Sequence, residues 1–520
     1  MSDCNRRQFV IGAVQTTAIA AVTSTIGSRV LGAAVRGGSV KFGVAGGATS
    51  DNLDPRSGSP DTHLVLAWWA IRNSLTEVLP DGKLVGEIAE SWEPSTDAKT
   101  WTFSIRKGVS FHDGKPLTAE DVVASLNFHR GKDSKSAALP LVSSITDIVV
   151  TDPHTVVVKL SGGDADFAYK MSDYHLLMMP LVGGKVDWSS GNGTGGYILE
   201  RFDPGVTISL RRNPNYFKGG ARAHFDSVQL INIPDAFARQ TALITGEVDA
   251  IGRIDVKTVS QLAAAPKIHV IETVGSQYST ILMDVTSSSF RDKDVRLAFK
   301  YAIDRQKILD MVLMGHGAIG NDQPIGPTYR YFDPTLSQRP YDPEQAKFHL
   351  KKAGSEGIKV QLEVAEVAWP VGAVDAALLF REQAKASGID IDVVRRPNDG
   401  YWSNTWSKVP FSMGYVGGRP TEDWIFSAFY SANAPNNDTH WNNQRFEQLL
   451  VAGRTELDEY KRRAIYAEMQ QILNEDGGLI VPLFTNHLVA TNSRIAVPGK
   501  LSGNWEMDNW RAVERWSLTA

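Results

Sequence analysis

The sequence predicts a mixed α/β protein of more than one domain, and three observations carry that expectation. The chain has 520 residues, beyond the size at which one hydrophobic core stops growing, so two or three domains are expected. Its composition, 42% hydrophobic and 22% charged, is that of a globular protein able to bury a substantial core. Segments with the two-residue period of half-buried strands are mixed in irregular order with segments of helical period. The regular strand–helix alternation of a barrel is missing, which favours an α/β or α+β protein with several sheets.

The first residues differ from all that follow. Arg6-Arg7 precede Phe9-Val10, a mildly apolar run extends from Ile11 to about Ile26, and Gly32-Ala33-Ala34 follow. Charge, then apolar run, then small residues is the layout of an export signal, and the paired arginines resemble a twin-arginine signal. Residues 1–34 are therefore expected to be removed on export. The single cysteine, Cys4, lies ahead of the apolar run, so neither a lipid anchor nor a disulfide is expected in the mature chain.

Further along, Trp101, Phe103 and Ile105 alternate with polar residues, as do Val156, Val158 and Leu160, and Val206, Ile208 and Leu210. Each set predicts a strand with one buried face. Thr118 is placed to cap a helix over Ala119–His129, with Val122, Leu126 and His129 on one side. Glu459–Asn474 has Ile465, Met469 and Ile472 at helical spacing and stops before Gly477-Gly478.

Charge excludes some partners. The net charge is -4 and no block of like charges occurs, which argues against nucleic acid, because phosphate binding needs a concentrated basic face. After residue 34 no apolar run reaches the length of about 18 residues that a membrane span requires.

From Gly86 the chain reads Gly86-Glu87-Ile88-Ala89-Glu90-Ser91-Trp92-Glu93-Pro94, then Lys99-Thr100-Trp101-Thr102-Phe103. It continues Phe111-His112-Asp113-Gly114-Lys115-Pro116-Leu117-Thr118-Ala119-Glu120-Asp121-Val122. Later come Gly193-Thr194-Gly195-Gly196-Tyr197, Arg212-Asn213-Pro214-Asn215-Tyr216-Phe217, Tyr301-Ala302-Ile303-Asp304-Arg305 and Tyr341-Asp342-Pro343-Glu344. This series closely resembles the family 5 extracellular solute-binding proteins of ABC importers, the dipeptide-, oligopeptide- and nickel-binding group, over essentially the whole mature chain. The resemblance implies a two-lobed periplasmic binding protein fold (type II, cluster C-like) with an additional subdomain in the first lobe. Lobe I is expected over 35–277 plus 487–520, with the subdomain at about 75–200, and lobe II over 278–486. It implies a periplasmic, monomeric protein that captures a peptide or peptide-like solute and delivers it to ABC permease subunits. An opine-like conjugate or a glycoside remains open as the solute, and a secreted hydrolase is the alternative of a different class.

Chemistry of other kinds finds little support. Gly191-x-Gly193-x-x-Gly196 matches a dinucleotide pattern, but Tyr197-Ile198-Leu199 opens a strand-like run where that motif requires a helix. No phosphate-binding loop and no nucleophile elbow occur, and the 11 histidines are scattered without zinc spacing. No catalytic residue, metal or cofactor is expected. His112 reads as a turn residue, and Asp304-Arg305 as a structural ion pair.

Aromatic runs mark the candidate site: Tyr401-Trp402-Ser403-Asn404-Thr405-Trp406, Met413 to Trp424, and His440-Trp441. Rings with polar tips suit a pocket for varied solutes; Trp402 and Trp441 are expected in the core. The expected ligand-binding set is Trp406, Tyr415, Gly418, Arg419, Asp423, Trp424, Tyr278 and Thr194. In the dipeptide-binding branch an acid follows the glycine turn and takes the ligand's amino group. Gly418 stands in its place, followed by Arg419, and Val367 stands near the arginine expected to take the carboxylate. The resemblance thus implies that both dipeptide anchors are missing or moved.

Overall fold

The computed structural model describes residues 35–57, 60–434 and 436–520. The expected export signal and Cys4 lie outside the described residues.

A 12-stranded sheet organises the chain. Its main path runs Tyr197–Asp203, Thr207–Arg212, Ser227–Asn232, Ser39–Val44, Ala250–Gly252, Leu483–Asn492, Ile268–Met283, Phe411–Val416, Lys359–Val364 and Asp390–Arg395. The longest strand, Ile268–Met283, and its antiparallel neighbour Leu483–Asn492 pair from Ile268↔Asn492 to Tyr278↔Phe484. They connect two groups of hydrophobic cores. On one side, Phe42, Trp68, Tyr197 and Trp516 pack together; on the other, Phe299, Phe380, Tyr401 and Phe411 form one core and Tyr278, Phe426 and Tyr466 another. The register of the crossing pair slips between Thr273 and Gln277. A Cβ on Gly275 there would overlap the Thr485 carbonyl, and one on Gly503 the Val274 carbonyl, so glycine is what lets three backbones converge.

A separate four-stranded antiparallel sheet, in the order Ala89–Pro94, Thr100–Ile105, Thr155–Leu160, Ile145–Asp152, has its own core. The alternation read from sequence is realised: Trp101, Phe103, Ile105, Val156, Val158 and Leu160 are all buried, each such side chain contributing about 1.5–3 kcal/mol. Helix Ala119–Asn127 covers this sheet through Val122 and Leu126. The Asp121 carboxylate accepts from the Thr118 amide at 3.0 Å, closing the first turn as a cap does.

Some expectations need correction. That helix ends at Asn127, so His129 lies beyond it, buried, with Nδ1 at 2.7 Å from Ser136 Oγ. Val206 precedes its strand and is exposed, because it sits in the tight turn after Asp203. Helix Glu459–Asp476 buries Tyr466, Met469 and Leu473, one residue on from the face centred on Ile465 and Ile472. Asp304 caps helix Arg305–Val312, while Arg305 pairs at 2.6 Å with Asp322 and not with its neighbour.

The loop entering the short helix Phe167–Lys170 leaves the four-stranded unit and docks on the far group of cores. Asp166, 1% exposed, accepts from Arg462 Nη1 and Nη2 at 2.8 and 2.7 Å and from Arg330 Nη2 at 2.8 Å. Burial works to raise its pKa, but the two guanidinium groups outweigh that and hold the carboxyl at about 2. Lys170 reaches Asp164 at 2.5 Å and Asp423 at 3.6 Å, and Arg454 holds Asp423 at 3.0 Å.

Candidate functional site

Where the two groups of cores face each other, beside the slipped register of the crossing strands, lies a cavity of about 890 Å³. That is near the top of the roughly 300–1,000 Å³ range of small-molecule sites. Its floor is the crossing strand at Ile271–Val274 and Ser276. Trp69, Tyr174, Trp505 and Trp510 supply one wall, and Tyr329, Arg330, Arg419 and Pro420 a second that meets the first where Arg419 packs on Trp505.

The first wall is aromatic and held by an unusual backbone. Trp505 and Trp510 stack with centroids 4.7 Å apart and planes 13° from parallel, and Tyr174 meets Trp510 edge-on at 5.1 Å. Met507, Asp508, Asn509 and Trp510 all have positive φ, from 50° to 59°. A left-handed turn of residues with side chains costs about 1–2 kcal/mol per residue and persists only where the surroundings enforce it. The surroundings do so here. Asp508 accepts from the Ser502 amide at 2.8 Å and Arg515 Nη1 at 2.9 Å, Asn509 Oδ1 accepts from the Trp505 amide at 2.8 Å, and Trp510 Nε1 donates to Thr62 Oγ1 at 3.0 Å.

On the second wall, the Arg419 amide donates to the Tyr329 hydroxyl at 3.1 Å, and its Nη1 donates to the carbonyls of Gly417 and Gly418 at 3.1 and 2.9 Å. The rings of Trp424, Phe429 and Trp505 surround its guanidinium at 5.7–5.9 Å. Several other charges of the cavity walls are paired: Arg330 with Asp166, Arg511 with Glu87 and Glu514, Asp173 with His175, Glu272 with His316.

Of the residues expected from sequence, Arg419 lines the cavity, and Trp424 lies behind it, packed partly on the core of the four-stranded unit. Gly418 forms the wall without lining the space; a Cβ there would overlap Ser276 Oγ and Asn504 Oδ1. Asp423 does not reach the cavity, being buried between Lys170 and Arg454. Tyr278 is fully buried, its hydroxyl 2.8 Å from that of Tyr430, and Thr194 is buried with Oγ1 donating to Asn73 at 3.0 Å. Trp406 is half-buried and hydrogen-bonds the buried Asp438, and Tyr415 is 39% exposed; neither lines the cavity. Trp402, expected in the core, is 40% exposed and meets Tyr415 edge-on at 5.7 Å, whereas Trp441 is buried, donating to Asp476 at 3.0 Å. His112 clips a loop: its Nε2 lies 3.1 Å from the Gly195 carbonyl, and its Nδ1 accepts from the Gly193 amide. Burial lowers its pKa to about 4, so the ring is neutral.

Sequence reading missed Trp69, Tyr174, Trp505 and Trp510. The repeated Asn504-Trp505 and Asn509-Trp510 pair near the C-terminus was the available signal.

The pattern of a family described as bacterial extracellular solute-binding proteins, family 5 Middle, matches residues 83–438. Di/tripeptide-binding protein 1 of Pseudomonas aeruginosa is 28% identical over 458 residues, covering 81% of this chain and 85% of that protein. HbpA2 from Haemophilus parasuis superposes with a TM-score of 0.81 at 22% identity, over 93% of this chain and 100% of that one. AgaA from A. tumefaciens R10, solved in complex with agropinic acid, gives 0.74 at 24% identity, over 93% and 99%. The two structures speak for the fold, a two-lobed periplasmic binding protein. With two-thirds of its length matched by the family pattern, this chain belongs to the bacterial extracellular solute-binding proteins, family 5.

Proposed function

We propose that this chain captures a peptide or peptide-like solute between lobe I (35–277 plus 487–520) and lobe II (278–486) and hands it to an ABC permease. Capture takes place outside the cytoplasmic membrane, after export by the twin-arginine signal at 1–34, by a monomer that does not turn the solute over. The observation that carries the reading is the cavity of about 890 Å³ lined by Trp69, Tyr174, Trp505 and Trp510, which fall in the proposed lobe I, and by Tyr329 and Arg419, which fall in the proposed lobe II. A solute touching both walls stabilises closure, and closure is what a permease detects. The proposed ligand-binding set is Arg419, Tyr329, Tyr174, Trp505 and Trp510, with Trp424 packed behind Arg419. The test is small-angle scattering with peptide pools: compaction with a solute that is recovered intact supports the reading, and steady product formation overturns it. An opine-like conjugate is the second reading, supported by the agropinic acid complex of AgaA and by Arg419, which has no carboxylate partner among the described residues.

A further inference from the structure

The charges of the cleft and the shape of its aromatic wall narrow the chemistry of the solute. Arg419 is half-buried among three rings. Its Nη1 is committed to two backbone carbonyls, while its Nε and Nη2 have no acceptor among the described residues, and no carboxylate there pairs with it. A guanidinium with desolvated faces and a free donor edge is suited to a planar acid. At the exposed rim Lys83 and Lys500 are balanced by Asp81 and Glu459, which leaves Arg419 as the cation set inside the cleft without an ion-pair partner among the described residues. Two acids of the same walls are engaged, in part or in full: the Oδ1 of buried Asp173 is 2.6 Å from His175 Nδ1, and the exposed Glu272 accepts from Asn486 at 2.6 Å with His316 at 3.0 Å. An acid thus finds Arg419, whereas an ammonium group finds the remaining Oδ2 of Asp173 and the exposed Asp81. Beside Arg419, whose guanidinium lies 5.8 Å from the Trp505 ring, the stacked Trp505–Trp510 pair, fixed by the left-handed turn, presents indole surface to the cavity.

We propose that the cleft selects a solute that joins an acidic group to a flat ring system, Arg419 taking the acid and the Trp505–Trp510 stack taking the ring, with no free amino group required. This rests on the cleft being the solute site. Amino-blocked peptides with an aromatic residue and a free carboxylate, and ring-containing amino-acid conjugates, fall within that class.

The experiment is calorimetry on the purified full-length chain with N-acetyl-Ala-Trp, its C-terminal amide, and N-acetyl-Ala-Ala. The free acid with the ring is expected to bind tightest. Amidation is expected to weaken binding by about 30-fold or more, and loss of the ring by roughly 3- to 10-fold. In Arg419→Gln the acid and the amide should bind alike, with Arg419→Lys intermediate. Trp505→Ala should lose the preference for the ring and keep the preference for the acid. An amide that binds as well as the acid, an unchanged acid-to-amide ratio in Arg419→Gln, or no binding by any of the three probes overturns the inference. Mass spectrometry of whatever co-purifies separates this from the underlying function. A solute lacking acid or ring sinks the inference alone, whereas no co-purifying solute and no compaction with any peptide pool sinks the proposed function.

Discussion

Asp166 offers the sharpest test of what holds the four-stranded unit against the far group of cores. It lies in the expected subdomain of lobe I, and its partners Arg462 and Arg330 in the proposed lobe II, so on that proposed division its pairs cross from one lobe to the other. Replacing it with alanine removes hydrogen bonds at 2.7, 2.8 and 2.8 Å and leaves Arg462, whose side chain is 3% exposed, buried without its anion. Breaking a buried pair by deleting one partner costs about 3–5 kcal/mol. The chain can limit that cost by opening, which returns both guanidinium groups to water. A shift of about 3 kcal/mol is a factor of roughly 150 in the closed-to-open ratio. Asp166→Ala is therefore expected to expand the ligand-free chain in small-angle scattering and to weaken apparent solute affinity by the same opening term. Asp166→Ala combined with Arg462→Met, which removes the orphaned charge, should recover much of the compaction. Unchanged dimensions and affinity alongside a lowered melting temperature would refute the reasoning, since the pairs would then serve folding alone.

Further expectations concern buried groups away from the cavity. Burial pushes the Asp438 carboxyl up to about 7, opposed only in part by the hydrogen bond from Trp406. A carboxyl raised in the folded state contributes stability below its unfolded pKa that is lost as pH rises from about 4 through 7, up to about 4 kcal/mol. Asp438→Asn should accordingly raise the melting temperature at pH 7.5 and change it little at pH 4; equal effects at both would exclude titration as the cause. The sign is opposite for Asp166, held at about 2: its stabilisation is present above about pH 4 and fades as pH falls toward 2, so a stability profile that is flat below pH 4 in the wild type argues against the pairing. Tyr278→Phe removes a hydroxyl that meets only Tyr430 and should cost about 1 kcal/mol of stability with solute affinity unchanged. A loss of affinity above about threefold would place Tyr278 at the solute.

Local pattern revealed much of the fold and little of the site. Alternation at Trp101–Ile105 and Val156–Leu160 reports burial of one strand face, which is a local property, and the caps at Thr118 and Asp304 are local too. Asp423 was misread because the partner that buries it, Lys170, lies in a different sheet unit and far along the chain; an acid beside a glycine turn looks the same whether it faces a solute or an ammonium group of its own chain. Trp402 and Trp441 read alike, although one is exposed and the other donates into the core, since which side of a helix or loop faces inward depends on what packs there. Trp505 and Trp510 escaped notice for a sharper reason. Four consecutive positive φ values at Met507, Asp508, Asn509 and Trp510 have no glycine to announce them. The turn is imposed by Asp508, Asn509 and Thr62 and does not follow from propensity.

Trp505 and Trp510 belong to a stretch that serves the cavity and the core at once. Residues from Pro498 to Arg511 border the cavity, while Ile495, Met507, Ala512, Val513 and Trp516 pack into the core with Phe42 and Trp68. The final strand, Ser517–Leu518, pairs back with Ile495–Ala496, and Leu518 also receives the amide of Val35. Loss of this stretch would thus remove the aromatic wall and part of that core together. Ability to retain a solute and cohesion of the core are therefore expected to fail at the same point, and damage there would not leave a well-folded but empty protein.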